Sequence, residues 1–288
     1  MLQIKKYDFK PQGIGQGEAC VDWHGNNRLL ECLSPEFNTM IDKREREVIE
    51  RGYIPERIFE RYAMASIVES IKRDDAVFVE VGAGYGEWTL AFDGLIENKV
   101  IQTGVKSACC IGIEPDHTHY EWLKTHMDCN GIKGIAIRAV VSDLEGIVRI
   151  NNNARPDYDY GQTILNHGVD KKTVFGLVRY IMRDTMKVRS YTLDHIMSSE
   201  GGHIDLVHID VQGAEDKVIK GADGLISSGN IDYMIIGTHG DKKHSKVKSM
   251  LESAYEFVVD IKPNSIDETN VGKVETQDGI LVCERKGI

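Results

Sequence analysis

The residues best placed by type and spacing to do chemistry begin with Glu80 and the glycines Gly82, Gly84 and Gly86, in Val77-Phe78-Val79-Glu80-Val81-Gly82-Ala83-Gly84-Tyr85-Gly86. A continuous apolar strand ends in an acid, and glycines at alternate positions follow. Such a strand-to-helix turn lets backbone N–H groups approach a ligand closely, because no Cβ blocks the way. The spacing separates two ligand classes. A dinucleotide site wants G-x-G-x-x-G, with pyrophosphate at the helix N-terminus. Here Glu87 holds the third-glycine position, an anion where pyrophosphate charge would collect. The pattern suits a ligand without phosphates and with a positive charge, such as S-adenosylmethionine. Glu80 would then sit near its amino-acid or sulfonium end. An ordinary tight turn is the plain alternative.

Other chemistry-bearing residues fall at the ends of strand-like runs, where open α/β sheets bind their ligands. Glu114, in Ile111-Gly112-Ile113-Glu114-Pro115-Asp116, is suited to accept both ribose hydroxyls of a nucleoside. Asp116 is the better helix-capping acid, which leaves Glu114 for a ligand. Asp143, in Val141-Ser142-Asp143, is either an acceptor for the adenine amino group or a turn-former before Gly146. Asp210 ends the next run, followed by Val211-Gln212-Gly213-Ala214-Glu215. His239 lies at the tip of the run after that, between Thr238 and Gly240, with a side chain suited to take a proton near neutral pH.

The elements that must position these residues alternate. Strands are expected at 77–81, 109–113, 135–140, 205–210, 232–237, 255–260 and 279–284, and helices at 86–94, 116–128, 192–199, 214–226 and 241–252. Runs such as Tyr233-Met234-Ile235-Ile236 are apolar at consecutive positions, as required when helices cover both sheet faces. The alternation implies an α/β fold with a doubly wound, mostly parallel sheet. The last two strands, joined by the polar loop 261–278, read as an edge hairpin. Upstream, Ser34-Pro35 starts a charged helix and Pro55 starts another with a broad apolar stripe, a cover beside the first strand. The stretch 151–190, with Tyr158, Tyr160 and Tyr180, breaks the rhythm and reads as a lid facing the substrate.

Composition narrows the partners. The chain has 288 residues and a formal net charge of −10, which argues against a nucleic-acid backbone as partner. The lysines between 241 and 248 read as a solvated helix face. No window approaches the roughly 18 apolar residues of a membrane span, and no secretory signal opens the chain. The six cysteines form no C-x-x-C pair; Cys109, Cys110 and Cys283 read as reduced core residues. These features together suggest a cytoplasmic protein, compatible with a homo-oligomer.

The joint order EVGAGYG, IGIEPD, VVSDLEG, YTLDHIM and IDLVHIDVQGAEDKVIKGA resembles the FkbM family of S-adenosylmethionine-dependent methyltransferases, over roughly residues 75–285. The resemblance implies a Rossmann-like class I methyltransferase fold, a seven-stranded sheet with its last strand antiparallel. The methyltransferase domain would span 74–288 with the lid-like insertion 151–190, behind an N-terminal extension and helical cover at 1–73. It also implies S-adenosylmethionine as cofactor, S-adenosylhomocysteine as product, and a hydroxyl on a sugar, glycan or natural product as acceptor. Carried across, Glu80, Gly82, Ala83, Gly84 and Gly86 form the cofactor loop, Glu114 and Pro115 the ribose side, Ser142 and Asp143 the adenine side. Asp210 matches the acid after the fourth strand. The family commonly has Asp-Val-Glu-Gly-Ala-Glu, where this chain has Gln212, and Thr238-His239 replaces an acid often found after the fifth strand.

The mechanistic expectation is that His239 or Asp210 takes the hydroxyl proton while Tyr158, Tyr160, Gln212 and His239 contact the acceptor. No metal site is assigned; a divalent cation held by Asp210 and His239 is the disfavoured variant. A peptide, amide or amine acceptor keeps the same cofactor site, and a nonenzymatic binding module with this fold is the bland alternative. A dinucleotide oxidoreductase is disfavoured by Glu87.

Overall fold

The apolar run before the glycine loop forms a strand buried on both faces. Phe78 packs into one layer, and Val79 and Val81 into the other. The computed structural model describes residues 1–7, 19–21, 27–29, 35–98, 100–151, 155–157 and 185–288. Its first elements are β1 (Ala19–Val21), β2 (Asn27–Leu29), α1 (Pro35–Glu50), β3 (Ile54–Pro55) and α2 (Glu56–Ser70). Next come β4 (Asp75–Val81), α3 (Glu87–Glu97), β5 (Ser107–Ile113), α4 (His117–Asn130) and β6 (Gly134–Ile137). They are followed by β7 (Val140–Val141), β8 (Gly146–Asn151), β9 (Thr185–Tyr191), α5 (Leu193–Ser199) and β10 (Ile204–Ile209). Then come α6 (Glu215–Lys220), α7 (Asp223–Ser227), β11 (Ile231–Thr238) and α8 (Asp241–Leu251). The last four are β12 (Tyr255–Ile261), β13 (Ile266–Thr269), β14 (Gly272–Glu275) and β15 (Gly279–Arg285).

The main sheet has the order β12-β15-β11-β10-β4-β5-β6. From β11 to β6 all pairs are parallel, while β15 runs antiparallel to both neighbours. Strand order reverses between β4 and β10, so the turns after these two strands diverge and open a crevice. That places the Gly82 loop beside Asp210, whose amide donates to the Val81 carbonyl at 3.0 Å.

One layer packs α2 and α3 on the sheet, with Phe78 and Phe92 stacked at 4.6 Å between ring centroids. Leu2 and Ile4 join the same cluster. The other layer holds α5 to α8 against Val79, Val207, Met234 and Leu281. Burying each large apolar side chain here contributes about 1.5–3 kcal/mol.

Several local expectations are corrected. The strand expected at 135–140 breaks after Ile137, and Val140–Val141 pairs instead with β9. Residues 185–190, assigned to the lid, form most of β9, antiparallel to β8. Their period-two pattern, Met186, Val188 and Ser190 on one face, was the overlooked signal. The helix expected at 214–226 is interrupted at Gly221, where a Cβ would meet the Ser142 carbonyl oxygen at 2.2 Å. The loop before β15 is not plain coil: β13 and β14 form a hairpin that pairs with β3.

Cys110 and Cys283 are buried and free, but Cys109 is exposed near the start of β5. The lysines of α8 are not simply solvated, since Lys243 and Lys246 pair with Asp216 and Lys248 with Asp260. Among the described residues no helix is long and apolar enough to cross a membrane.

Candidate functional site

The glycine loop owes its path to left-handed backbone at Gly82 (φ +82°), Gly84 (φ +54°) and Gly86 (φ +89°). A Cβ on Gly82 would meet the Asp210 carbonyl oxygen at 1.9 Å, so the absence of a side chain is what lets the two turns touch. Glu80 is almost fully buried and accepts from Trp88 N (3.2 Å), Thr89 N (2.8 Å) and Thr89 Oγ1 (2.6 Å). Its carboxylate therefore caps the first turn of α3, satisfying amides that have no partner within the helix. Burial raises its pKa to about 8, against the pull of those donors.

Glu114 bridges the loop and the next helix. It accepts from Gly84 N and from Asp116 N, both at 2.8 Å. Asp116 caps α4 through Thr118 N and His119 N. Each Glu114 oxygen keeps a lone pair beyond these bonds, and burial raises its pKa to about 7. The loop, Glu114, Pro115, His119, Val141, Asp210 and Gln212 line a cavity of about 220 Å³. Pro156, in the described part of the 151–190 insertion, accepts from His119 Nε2 at 2.8 Å on this side.

Ser142 and Asp143, expected on the adenine side, do not line that cavity. Lys220 Nζ draws the Asp143 carboxylate away at 2.9 Å, and Ser142 Oγ donates to the same carboxylate at 3.2 Å. Their neighbours Ala139, Val140 and Val141, with Ile150, supply an apolar wall instead. Tyr158, Tyr160 and Tyr180 lie outside the described residues.

Asp210, at the tip of β10, lines the cavity, and Gln212 Nε2 donates to its Oδ1 at 3.4 Å. Gln212 has φ +53° and Gly213 φ +95°, a sharp turn of the kind that concentrates at functional sites. His239 Nε2 lies 3.6 Å from Asp210 Oδ1 and 3.7 Å from Asp278 Oδ1. Its Nδ1 is 2.7 Å from Glu215 Oε1, which also accepts from Gly213 N at 2.8 Å. Burial opposes the imidazolium, yet the bond to Glu215 and the charges of Asp210 and Asp278 prevail and raise its pKa to about 9. Two expectations change. A pKa near 9 favours the protonated ring at neutral pH, which argues against His239 as the resting base, and it lines neither cavity. Desolvation raises the Asp210 pKa despite the opposing pull of His239, the direction a general base requires.

A second cavity, about 470 Å³, adjoins the first through Arg57, Glu87, Trp88 and Asp210. Here sequence reading missed the contribution of α2. Arg57 and Arg61 both bind the Glu87 carboxylate, Arg61 at 2.9 Å, and Tyr85 Oη donates to it at 2.8 Å. Despite burial, the two guanidinium groups hold Glu87 well below the usual carboxylate range. The signal was present in Glu56, Arg57, Glu60 and Arg61, polar groups at i,i+4 spacing beside an apolar stripe.

Asp210 and His239 do not form a metal-ready cluster. Among the described residues, the group of three ligand-type side chains with atoms within 4.8 Å of one another is His203, Asp205 and Asp232, at the opposite ends of β10 and β11. Its carboxylates are already engaged, Asp205 by Val77 N and Asp232 by Arg285.

Residues 80–259 match the family described as the methyltransferase FkbM domain. A curated relative from Jannaschia sp. (strain CCS1), with a provisional methyltransferase name, is 29% identical over 164 residues. The match covers 56% of this chain and 55% of that protein, so the chain spans about half the length of the relative. Two solved structures show a weak likeness to this chain. A ribosomal protein L11 methylase from Lactobacillus delbrueckii subsp. bulgaricus has TM-score 0.38 and 14% identity, covering 78% of each chain. A precorrin-6y C5,15-methyltransferase from Geobacter metallireducens has TM-score 0.40 and 11% identity, covering 78% of this chain and 87% of that one.

Proposed function

The chain belongs to the FkbM methyltransferase family, and on that premise we propose that it transfers a methyl group from S-adenosylmethionine to a hydroxyl of a sugar, glycan or natural-product acceptor. The observation that carries this reading is the pair of adjoining cavities that share Asp210 at the strand-order reversal. Bound S-adenosylmethionine supplies an electrophilic methyl group. The residues suited to hold it are the loop Gly82-Ala83-Gly84, the spare lone pairs of Glu114 for ribose hydroxyls, and the apolar wall around Val141 for the adenine ring. The Asp143 carboxylate, held by Lys220, would not reach the adenine ring.

On the acceptor side the chain must orient a hydroxyl and remove its proton. Asp210 would take that proton; as the hydroxyl oxygen bonds to the methyl carbon, the carbon–sulfur bond would break and neutral S-adenosylhomocysteine would leave. His239, held charged by Glu215, positions the Asp210 carboxylate and stays protonated throughout. Arg57 stands at the junction of the cavities, held there by Glu87 and Glu45.

Calorimetric titration with S-adenosylmethionine and S-adenosylhomocysteine tests the cofactor site. Binding by the wild type that is lost in Gly84→Asp and Glu114→Ala supports it. A folded protein that binds neither compound refutes the reading. Transfer of labelled methyl to hydroxylated glycans then tests the acceptor class.

A further inference from the structure

The second cavity gathers more carboxyl groups than its lysines and arginines pair with among the described residues. Glu87 and Glu45 pair with Arg57, and Glu275 with Arg51. Glu56, Glu60, Asp210 and Asp278 have no lysine or arginine within ion-pair distance among the described residues. Arg44, on the α1 wall, is a lining cation without an ion pair among them, and the His239 imidazolium faces Asp210 and Asp278, which leaves Glu56 and Glu60 without a charged partner of their own.

Glu60 adds an independent observation. It is 6% exposed and lines the cavity, yet among the described residues no donor hydrogen-bonds to it. His208 Nε2 lies 3.8 Å from its Oε1, beyond hydrogen-bond length. Burial lowers the His208 pKa to about 4, so this imidazole is neutral and brings no countercharge. Glu56 accepts from the backbone amides of Gln277 and Asp278 at 2.9 and 3.2 Å, which fixes the turn that presents Asp278 to the same space. A buried carboxyl left without a donor costs free energy that a bound ligand can recover.

We propose that Glu60, with Glu56 and Asp278, forms an ammonium-binding subsite, so that the acceptor is a hydroxylated molecule bearing a protonated amine, such as an amino sugar or aminocyclitol. The amine is the anchor, and the hydroxyl beside Asp210 is the group methylated; the inference rests on the methyl-transfer reading. An organic ammonium fits better than a metal ion, because these carboxylates do not converge to metal-ligand distances among the described residues. Burial, then the charge of Asp210, holds the Glu60 carboxyl above the usual carboxylate range, and a cation beside it would favour the ionised form.

The test titrates glucosamine, galactosamine and 2-deoxystreptamine, each beside its N-acetyl derivative, into the protein with and without saturating S-adenosylhomocysteine. At least one free amine is expected to bind about tenfold tighter than its acetylated partner, the order of a charge-assisted hydrogen bond. Glu60→Gln and Asp278→Asn should erase that preference and leave S-adenosylhomocysteine affinity within about twofold. No preference for any amine overturns the subsite, as does a preference that survives in a folded Glu60→Gln. An amine preference in a protein that binds no S-adenosylhomocysteine supports the subsite and overturns the methyl-transfer reading alone.

Discussion

His239 faces Glu215 with one ring nitrogen, at 2.7 Å from Oε1, and Asp210 with the other, at 3.6 Å from Oδ1. The arrangement fixes which nitrogen meets which acid, and it holds the imidazole charged. The ring should titrate near 9, against an ordinary 6.5. Because the folded value is the higher one, the stabilisation is complete below about 6.5 and is lost as pH rises through about 9; its upper bound is roughly 3 kcal/mol. In Glu215→Gln the ring should titrate well below 9, and the stability gap from wild type should narrow across that window. NMR titration of the His239 ring and urea unfolding at several pH values check both. A ring that titrates near 6.5 in the wild type contradicts the assignment.

If Asp210 is the base, Asp210→Asn should lower turnover by at least about 100-fold, the usual scale of general-base catalysis. S-Adenosylhomocysteine affinity should change only a few-fold. His239→Gln should retain more activity than Asp210→Asn, with the rate profile displaced along the pH axis. Steady-state kinetics of both variants decide the matter; equal abolition of activity would return His239 to the role of reacting group.

Gly82→Ala combines two penalties. The backbone is left-handed at φ +82°, and the new methyl would lie 1.9 Å from the Asp210 carbonyl oxygen. Relief requires the turns after β4 and β10 to separate, which opens the hydrogen bond from Asp210 N to Val81 O. The expected loss is about 3 kcal/mol or more, within the range of severe backbone strain. Chemical denaturation measures it, and a loss under about 1 kcal/mol would mean that the loop relaxes elsewhere.

How far the site was legible follows from where each residue's partners lie in sequence. The glycine loop, Glu114 and Asp210 sit at the ends of apolar runs, and the rule that ligands bind beyond parallel-strand termini locates them together. Nothing local, however, reports the surroundings of a side chain. Asp143 turns to Lys220 and His239 gains its charge from Glu215 and Asp278, contacts that exist only once the sheet is assembled. Arg57 and Glu60 reach the site from a helix more than a hundred residues before Asp210. Their i,i+4 pattern announces a polar helix face, but not what that face meets.

The alternating strand 185–191 shows a different loss. Its pattern is plain, yet it lies at the end of a stretch whose asparagines, Arg155-Pro156 and tyrosines argue for a loop. The interruption of the expected 214–226 helix is legible only through contact with Ser142, because a glycine followed by alanine does not by itself end a helix.

Glu80 separates a direct ligand contact from a structural role. Its three bonds to Trp88 and Thr89 hold the start of α3, and with it the orientation of Glu87 and Trp88 toward both cavities. Glu80→Ala would strand two helix-end amides and a hydroxyl in a buried position, at about 1–3 kcal/mol for each group that water cannot reach. The expected result is a marked fall in stability together with weaker S-adenosylhomocysteine binding, as the α3 end loosens. Glu80→Gln keeps one acceptor oxygen but turns an amide toward a backbone N–H, so it should fall between wild type and alanine in both measurements. Unfolding curves set beside calorimetry separate the two roles. If alanine leaves stability within about 0.5 kcal/mol of wild type and still abolishes binding, Glu80 acts on the cofactor directly, and the capping bonds are incidental to its place in the loop.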